Sequence, residues 1–282
     1  MISGCANTSE ESVSVRGSDT MVALGQAWAE EYMIKNPQST IQVNGGGSGT
    51  GIASLINRIA DICQSSRPMK EREKRLIKER FGNDVIEIPV AKDGIVIYVH
   101  QTNPINSISI SQLKDIYTGK VSNWKELGGD DKPIIVYSRE NSSGTYEFFK
   151  KAVLKGDDFA TQIQTLPGTG AVANAVSHEE NAIGYGGNAY SSGIKLLALR
   201  KGDLDSAITA SAESISDGTY PLSRDLYFYL AKKPASLSEN FIAWVLSNEG
   251  QSICISQGYF PVRTVSSSNS TQNYTQVLSE KN

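Results

Sequence analysis

Three short clusters of serine, threonine and glycine constrain the fold of this chain more than any other feature. They are Gly17-Ser18-Asp19-Thr20, Gly47-Ser48-Gly49-Thr50-Gly51 and Ser142-Ser143-Gly144-Thr145. Each follows a segment rich in β-branched or aromatic residues, at 13–16, 40–43 and 134–137, which predicts a strand. Each also precedes apolar residues at helical spacing, such as Leu24, Trp28 and Tyr32. The pattern therefore predicts three strand–loop–helix units.

The three loops have the chemistry of an anion site. A loop that opens a helix presents unpaired backbone N–H groups and the positive end of the helix dipole. Small hydroxyl residues let an anion approach closely and add hydrogen-bond donors, so the loops predict one oxyanion held from several sides. The alternatives are helix capping by Ser143 or Thr145 and a flexible turn at Gly45–Gly51. Neither a dinucleotide motif nor a P-loop fits, because Thr50 and Ile52 occupy required positions.

Composition excludes several classes of protein. The 282 residues include 39% hydrophobic and 20% charged residues, which is typical of a globular protein long enough for two lobes. The net charge of −3 and the lack of a basic run argue against nucleic acid as a partner. With two histidines and three cysteines, we expect no metal site and no cofactor. No apolar run reaches 18 residues, so we expect no membrane-spanning segment.

The first residues indicate a lipid anchor. Ile2-Ser3-Gly4-Cys5 resembles a bacterial lipobox, in which the cysteine is acylated, and a polar stretch follows it. Only Met1 precedes the motif, so we expect the natural start to lie further upstream. We expect attachment through Cys5 in the periplasm or at the outer face of the cytoplasmic membrane; the alternative is a chance cysteine. Cys63 and Cys254 are predicted either to pair in an oxidising compartment or to remain buried thiols.

The order of predicted elements indicates an α/β protein with two lobes and a cleft between them. Alternating strands and helices begin near residue 13, and two apolar segments, Ile86–Val90 and Gly94–Val99, flank a crossing between the lobes. Leu226–Leu230 is predicted to cross back. The predicted segments are a tether at 1–13, lobe 1 at 14–91 and 225–265, lobe 2 at 92–224, and a polar, disordered tail at 266–282.

Five motifs in order carry a resemblance to a known family. They are Gly17–Met21, Gly45–Ile52, Ala60–Ile62 with Ser65–Arg67, Tyr117–Lys120 with Asn123-Trp124, and Arg139–Thr145. Together they resemble the phosphate-binding proteins of bacterial and archaeal ABC transporters, in the compact branch, over residues 13–265. The resemblance implies a periplasmic-binding-protein type II fold. It also implies a monomer that captures inorganic phosphate with high affinity and delivers it to a membrane permease.

The resemblance also implies a set of phosphate ligands. Carried over by position, they are Ser18, Asp19, Thr20, Ser48, Ser66, Arg139, Ser143, Gly144 and Thr145. Ser66 departs from the family, because larger members have an aspartate there that accepts the proton of hydrogen phosphate. One alternative is that Ser66 itself accepts that proton through its oxygen; the other is that Asp19 supplies the missing carboxylate. The departure keeps open the alternative that the ligand is another oxyanion, such as sulfate, molybdate or tungstate.

Individual residues also have simpler interpretations. Arg139 is the candidate cation for the ligand site, because it lies close before the third loop and its planar fork can donate two parallel hydrogen bonds to an anion. Its alternative is a surface ion pair with Glu140, and the alternative for Asp19 is a helix cap. Gly168-Thr169-Gly170 also precedes a predicted helix, and we interpret it as structural.

An enzyme is the principal rival class. Ser48 and Ser143 are candidate nucleophiles, but neither lies in G-x-S-x-G, and His100 and His178 lie outside the hydroxyl-rich loops. We therefore predict no catalytic residues and no enzyme activity, with hydrolysis of a phosphate ester as the alternative. A sensor or a surface attachment protein on the same scaffold is a further alternative.

Overall fold

A computed structural model describes residues 11–263 as ten strands, nine α-helices and three short 3-10 turns. The strands are β1 (Glu11–Gly17), β2 (Ser39–Asn44), β3 (Ile62–Ser65), β4 (Ile86–Val99), β5 (Ser107–Ser109), β6 (Ile135–Arg139), β7 (Gln164–Leu166), β8 (Ala182–Gly187), β9 (Lys195–Arg200) and β10 (Ser223–Leu230). The helices are α1 (Val22–Lys35), α2 (Ser48–Ile56), α3 (Glu71–Phe81), α4 (Ile110–Tyr117), α5 (Gly144–Ala152), α6 (Thr169–His178), α7 (Ala212–Ser216), α8 (Ser236–Val245) and α9 (Asn248–Ser256). The predicted α/β class is confirmed.

One strand, β4, belongs to both halves of the sheet. Its residues from Ile86 to Gly94 pair antiparallel with β10, in a first half ordered β2-β1-β3-β10-β4. Its residues from Ile95 to Val99 pair with β8 and β9, in a second half that continues to β6 and β7. The sequence predicted two strand segments, Ile86–Val90 and Gly94–Val99, on either side of a crossing between the lobes. They form one continuous strand, because Lys92 pairs with Asp225 and Asp93 with Arg224.

Alternating residues of the first half pack against different helices. Ile62 and Phe228 lie in an apolar cluster with side chains of α1, α8 and α9, whereas the adjacent Cys63 and Tyr229 lie in a cluster with α2 and α3. This alternation follows from the two-residue period of a strand. A hydrogen bond also connects α1 to α9: the indole N–H of Trp28 donates to the Gly250 carbonyl at 2.7 Å.

The second half has a separate apolar core. Ile95–Val99 form its centre, and Trp124 is buried in it, as expected for a residue that packs rather than stacks on a ligand. Phe149 of α5 stacks on Tyr185 of β8 with 3.9 Å between ring centroids. Aromatic stacking of this kind holds α5 and β8 in a fixed relation.

The sequence left open whether Cys63 and Cys254 form a disulfide. Cys63 and Cys254 are free buried thiols in different apolar clusters, and burial raises the pKa of Cys254 to about 12. The structure thus favours the alternative of two unpaired thiols.

The predictions for the chain ends concern residues that the structure does not describe. They are the lipid anchor at Cys5, nearly all of the 1–13 tether, and the 266–282 tail.

A partly buried ion pair stabilises the start of the charged helix α3. Both Glu73 carboxylate oxygens accept hydrogen bonds from Arg67, at 2.9 and 2.7 Å, and one also accepts the Lys70 backbone N–H at 2.7 Å. Burial alone would raise the pKa of Glu73, but the hydrogen bonds from Arg67 and Lys70 outweigh it and hold the pKa below the ordinary 4.5.

This pair predicts a specific acid sensitivity. A carboxyl whose pKa is depressed by folding stabilises the protein above its unfolded pKa, and the contribution is lost as pH falls through the folded value. Glu73→Gln should therefore lower the free energy of unfolding by about 1–3 kcal/mol at neutral pH and flatten its decline below about pH 4.5. Urea unfolding between neutral pH and about pH 3 measures both quantities.

The matched control is Glu71→Gln on the same helix, because the Glu71 side chain is 85% exposed. This variant should keep the wild-type decline. Parallel curves for wild type and Glu73→Gln would contradict the assignment.

Candidate functional site

The segments that follow four strands meet at one place between the two halves of the sheet. In the first half, β1 leads into Ser18–Thr20, β2 into the glycines before α2, and β3 into Ser66. In the second half, β6 ends at Arg139 and leads to the start of α5 at Gly144. Carboxyl ends of parallel strands share an edge, which explains the convergence of these loops.

Five buried hydroxyl groups, from Ser18, Thr20, Ser48, Ser66 and Thr145, form what we call the hydroxyl cluster. Ser18 Oγ donates to Ser66 Oγ at 2.9 Å, and Ser48 Oγ lies 3.3 Å from Ser66 Oγ. Thr20 Oγ1 of the first half lies 2.8 Å from Thr145 Oγ1 of the second. The predicted hydroxyl ligands are thus brought together across the junction of the two halves.

Two glycines permit this close approach. A Cβ atom on Gly144 would lie 2.4 Å from Ser48 Oγ and 2.6 Å from Ser66 Oγ. Gly47 has a φ of 93°, and a Cβ there would lie 2.6 Å from the Ser142 carbonyl oxygen. The Gly49 backbone N–H donates to that same carbonyl at 2.9 Å. The glycines therefore let the start of α2 and the start of α5 touch backbone to backbone.

Arg139 is buried at the edge of the hydroxyl cluster, not on the surface. Its Nη2 donates to Asp19 Oδ2 at 2.9 Å, and its Nη1 donates to Thr169 Oγ1 at 2.7 Å. Its Nε, also buried, has no hydrogen-bond partner among the described residues. Burial lowers the pKa of the guanidinium, and the Asp19 carboxylate opposes that shift. The alternative of a surface pair with Glu140 is wrong.

Asp19 links the first two loops to Arg139. Its second carboxylate oxygen, Oδ1, accepts the Gly46 backbone N–H at 2.7 Å. The short helical turn that begins at Asp19 has no side-chain cap, so the helix-cap interpretation is wrong. The Asp19 carbonyl accepts from the Tyr190 hydroxyl at 3.0 Å, which adds a contact to the second half.

Thr169 belongs to the same site, although the Gly168-Thr169-Gly170 segment was interpreted as structural. Its hydroxyl is buried, accepts from Arg139 and lies 3.5 Å from Thr20 Oγ1. The signal in the sequence was a small hydroxyl residue before a helix, the same signal as in the three main clusters. The contact with Arg139 brings this fourth loop to the site, and its structural interpretation stays a prediction.

A second buried arginine, Arg224 of β10, also reaches the hydroxyl cluster. Sequence reasoning indicated Arg139 as the cation of the site and missed Arg224. Arg224 donates to Thr145 Oγ1 at 3.0 Å and pairs with Asp93 Oδ2 at 2.7 Å. Complete burial raises the pKa of Asp93, and the Arg224 guanidinium opposes the rise. No local signal marks either residue, since both lie inside strands.

The hydrogen bonds already made determine what the hydroxyls can still do. Ser48 Oγ accepts the Ser66 backbone N–H at 3.0 Å, and Ser143 Oγ accepts the backbone N–H groups of Thr145 and Tyr146 at 3.2 and 3.3 Å. Capping by Ser143 is thus confirmed. A hydroxyl whose oxygen accepts a bond keeps its hydrogen to donate. The arrangement offers several buried donors to one small oxyanion.

A cavity in the first half of the sheet lies away from the hydroxyl cluster. A cavity of about 590 Å³ is lined by Arg58, Arg80 and Lys232 at the far end of the first half, and the hydroxyl cluster does not contribute to it. Within residues 11–263, no group of three or more His, Cys, Asp or Glu side chains is placed to hold a metal ion. Over the same range, every helix is too short or too polar to cross a membrane.

Comparison with known sequences identifies close relatives. The family described as the PBP superfamily domain matches residues 6–249. The phosphate-binding protein PstS of Pseudomonas aeruginosa is 35% identical over 263 residues, which cover 87% of this chain and 81% of that protein. The phosphate-binding protein PstS of Bacillus subtilis is 33% identical over 252 residues, with 89% and 81% covered.

Solved structures agree with the sequence comparison. A Clostridium perfringens protein, described as a candidate phosphate ABC transporter substrate-binding protein and crystallised with phosphate, has a TM-score of 0.82 and 33% identity. The alignment covers 90% of this chain and all of that one. An ABC-type phosphate transport receptor from Vibrio cholerae has a TM-score of 0.71 and 28% identity, with 88% and 99% covered. The fold is the type II periplasmic-binding-protein fold.

Proposed function

Because this chain belongs to the PBP superfamily, in its family of phosphate-binding proteins, we propose that it captures inorganic phosphate for an ABC transporter. The relatives are transport binding proteins rather than enzymes. Accordingly, the proposed activity is tight, reversible binding without turnover of the ligand. Phosphate, and not a phosphate ester, is the proposed cargo.

The convergence of the hydroxyl cluster with Arg139 is the observation that carries this proposal. Moving a doubly charged anion out of water is costly unless nearly all of its lone pairs accept hydrogen bonds. Here the Thr20 and Thr145 hydroxyls, from the two halves of the sheet, lie 2.8 Å apart, and those of Ser48 and Ser66 lie 3.3 Å apart. The buried Arg139 Nε–H has no partner among the described residues. A phosphate ion between them would accept these donors.

The proposed ligands are the nine residues carried over from the family. The hydroxyls of Ser18, Thr20, Ser48, Ser66, Ser143 and Thr145 donate to the phosphate oxygens, Arg139 and the Gly144 backbone N–H complete the donors, and Asp19 accepts the ligand's proton. Gly144 starts α5, so the dipole of that helix also favours the anion. The thermodynamic benefit comes from many moderate hydrogen bonds rather than from net charge.

The proposed motion is closure of two lobes around the ion. We assign residues 14–91 and 225–265 to lobe 1 and residues 92–224 to lobe 2, joined by β4 and β10. Contacts such as Thr20–Thr145 and the Lys70–Glu147 ion pair at 2.9 Å connect the lobes in the structure described here. A ligand held by both lobes favours the closed state, because only that state offers all of its contacts.

The proposed place of action is outside the cytoplasmic membrane. The permease subunits of an ABC transporter are the proposed partners of a monomeric binding protein. Acylation of Cys5, in the lipobox-like Ile2–Cys5 segment, would tether the protein at the outer face of that membrane.

A second candidate ligand is another tetrahedral oxyanion. Ser66 occupies the position of the aspartate that accepts a proton from phosphate in larger family members. A site with no acceptor for that proton would also take fully ionised sulfate, molybdate or tungstate. The role of Asp19 decides between the two candidates.

Calorimetric titration of the purified protein with phosphate, arsenate, sulfate and molybdate tests the proposed function. Phosphate should bind with one ion per chain, and arsenate, whose shape and protonation are similar, should bind within about tenfold of it. Sulfate and molybdate should bind far more weakly. Failure to bind phosphate, or tighter binding of sulfate or molybdate, would overturn the assignment of the ligand.

The contact at Gly144 predicts a loss of affinity without a loss of fold. The Cβ of Gly144→Ala would lie against Ser48 Oγ and Ser66 Oγ, so the lobes could not approach to the same distance. Phosphate affinity should fall about tenfold or more. The helix itself tolerates alanine, so the melting temperature should stay close to that of the wild type.

Gly170→Ala is the matched control for this substitution. Gly170 also lies in the first turn of a helix, α6, but a Cβ there would meet only the Tyr190 ring at 3.9 Å. Its phosphate affinity should equal that of the wild type. Equal affinities for the Gly144 and Gly170 variants would contradict the proposed closure.

The position of Asp19 predicts a change of selectivity. An ionised carboxylate beside a bound anion repels it unless the anion carries a proton directed at the carboxylate. Asp19→Asn should therefore lower the ratio of phosphate to sulfate affinity by about tenfold. Competition titrations measure the ratio, with Asp61→Asn as the control, because the exposed Asp61 carboxylate accepts only the Ser14 N–H. An unchanged ratio would remove this role of Asp19.

A further inference from the structure

The two strands that join the halves of the sheet carry a buried ion pair. Asp93 lies on β4 and Arg224 on β10, directly opposite in the strand register. The guanidinium donates to Asp93 Oδ2 through Nε at 3.1 Å and through Nη2 at 2.7 Å. The Asp93 side chain is fully buried, and that of Arg224 is 2% exposed. An isolated buried charge is costly, so each residue needs the other.

The remaining donors of Arg224 reach segments on both sides of the junction. Nη1 donates to the Ser66 carbonyl at 2.9 Å, in the first half of the sheet. Nη2 donates to Thr145 Oγ1 at 3.0 Å, at the start of α5 in the second half. Nη2 also donates to Thr20 Oγ1 at 3.5 Å. Each guanidinium nitrogen therefore already donates to a protein group, which favours a role through these neighbours.

The bond to Thr145 has a direction. An arginine can only donate, so Thr145 Oγ1 must accept from it, and the hydroxyl hydrogen of Thr145 points elsewhere. Thr20 Oγ1 lies 2.8 Å from Thr145 Oγ1, inside the hydroxyl cluster. The Arg224 contact thus leaves the Thr145 hydroxyl hydrogen available to donate within the cluster.

We propose that Arg224 is a positioning residue that fixes the Thr145 hydroxyl as a hydrogen-bond donor to the bound anion, with Asp93 holding the guanidinium in place. This inference rests on the proposed function, because it assigns a role within the same phosphate site. A threonine hydroxyl that rotates freely must lose conformational entropy when the ligand binds, and this loss weakens binding. The hydrogen bond from Arg224 restricts the Thr145 side chain before the ligand binds, so that cost is smaller.

The same arrangement occurs a second time at the site. Asp19, Arg139 and Thr169 form a carboxylate–guanidinium–hydroxyl series, with distances of 2.9 and 2.7 Å. Asp93, Arg224 and Thr145 form the other, with distances of 2.7 and 3.0 Å. Each carboxylate balances one guanidinium, so two arginines orient threonine hydroxyls without adding net charge. The repetition favours a positioning role over a purely structural ion pair.

A thermodynamic cycle on phosphate affinity tests the inference. The paired variant Arg224→Gln/Asp93→Asn removes both charges, so no buried charge is left alone. Thr145→Val removes only the hydroxyl. Each of these two proteins should bind phosphate about tenfold more weakly than the wild type, as measured by titration calorimetry. The triple variant should bind no more weakly than Thr145→Val alone, because coupled residues are not additive.

Two results would contradict the proposed role of Arg224. Wild-type affinity in the paired variant, or losses that simply multiply in the triple variant, would overturn a role through Thr145. If the wild type itself does not bind phosphate, the proposed function fails, and that outcome is separate from these. Arg67→Gln/Glu73→Gln is the control, because it neutralises a partly buried pair whose guanidinium donates to Glu73 and to the Pro68 carbonyl. It should lose stability and keep wild-type affinity.

If the paired variant does not fold, Arg224→Lys tests the same role of Arg224. Lysine retains the charge opposite Asp93, but its single ammonium group cannot also reach Ser66 and Thr145 in the planar geometry of arginine. A folded Arg224→Lys protein should bind phosphate about tenfold more weakly. Wild-type affinity in that protein would overturn the positioning role.

Discussion

The shared strand β4 is the constraint on which the rest of the structure depends. Because it pairs with β10 over one part of its length and with β8 and β9 over the next, it connects the two halves of the sheet directly. The loops after β1, β3 and β6 therefore lie on the two sides of one short connection.

Each buried arginine where the two halves of the sheet meet forms an ion pair with a carboxylate. Arg139 with Asp19 and Arg224 with Asp93 place two guanidinium groups beside the hydroxyl cluster, each with its own carboxylate. Removing ions from water is unfavourable, and replacing such pairs by apolar residues often stabilises a protein. Their presence at a junction lined by hydroxyls is thus better explained by binding, as proposed above, than by stability alone.

Much of the fold and part of the site could be predicted from the sequence, for a physical reason. Ser18–Thr20, Ser48 and Ser143–Thr145 stand next to the strands and helices that position them, so local pattern alone locates them. Asp93 and Arg224 are 131 residues apart and meet only through the register of β4 and β10. Nothing local distinguishes them from other charged residues. Thr169 had the right local pattern, but only its contact with Arg139 reveals its place.

The glycine that opens α5 has a consequence for the size of any occupant. Its Cα faces Ser48 and Ser66 so closely that even one methyl carbon would fall 2.4 Å from an oxygen. An occupant between α5 and these hydroxyls must therefore replace the hydroxyl contacts with contacts of its own oxygens. We expect a carbon substituent on one of those oxygens to require a wider separation of α5 from Ser48 and Ser66 than the structure shows.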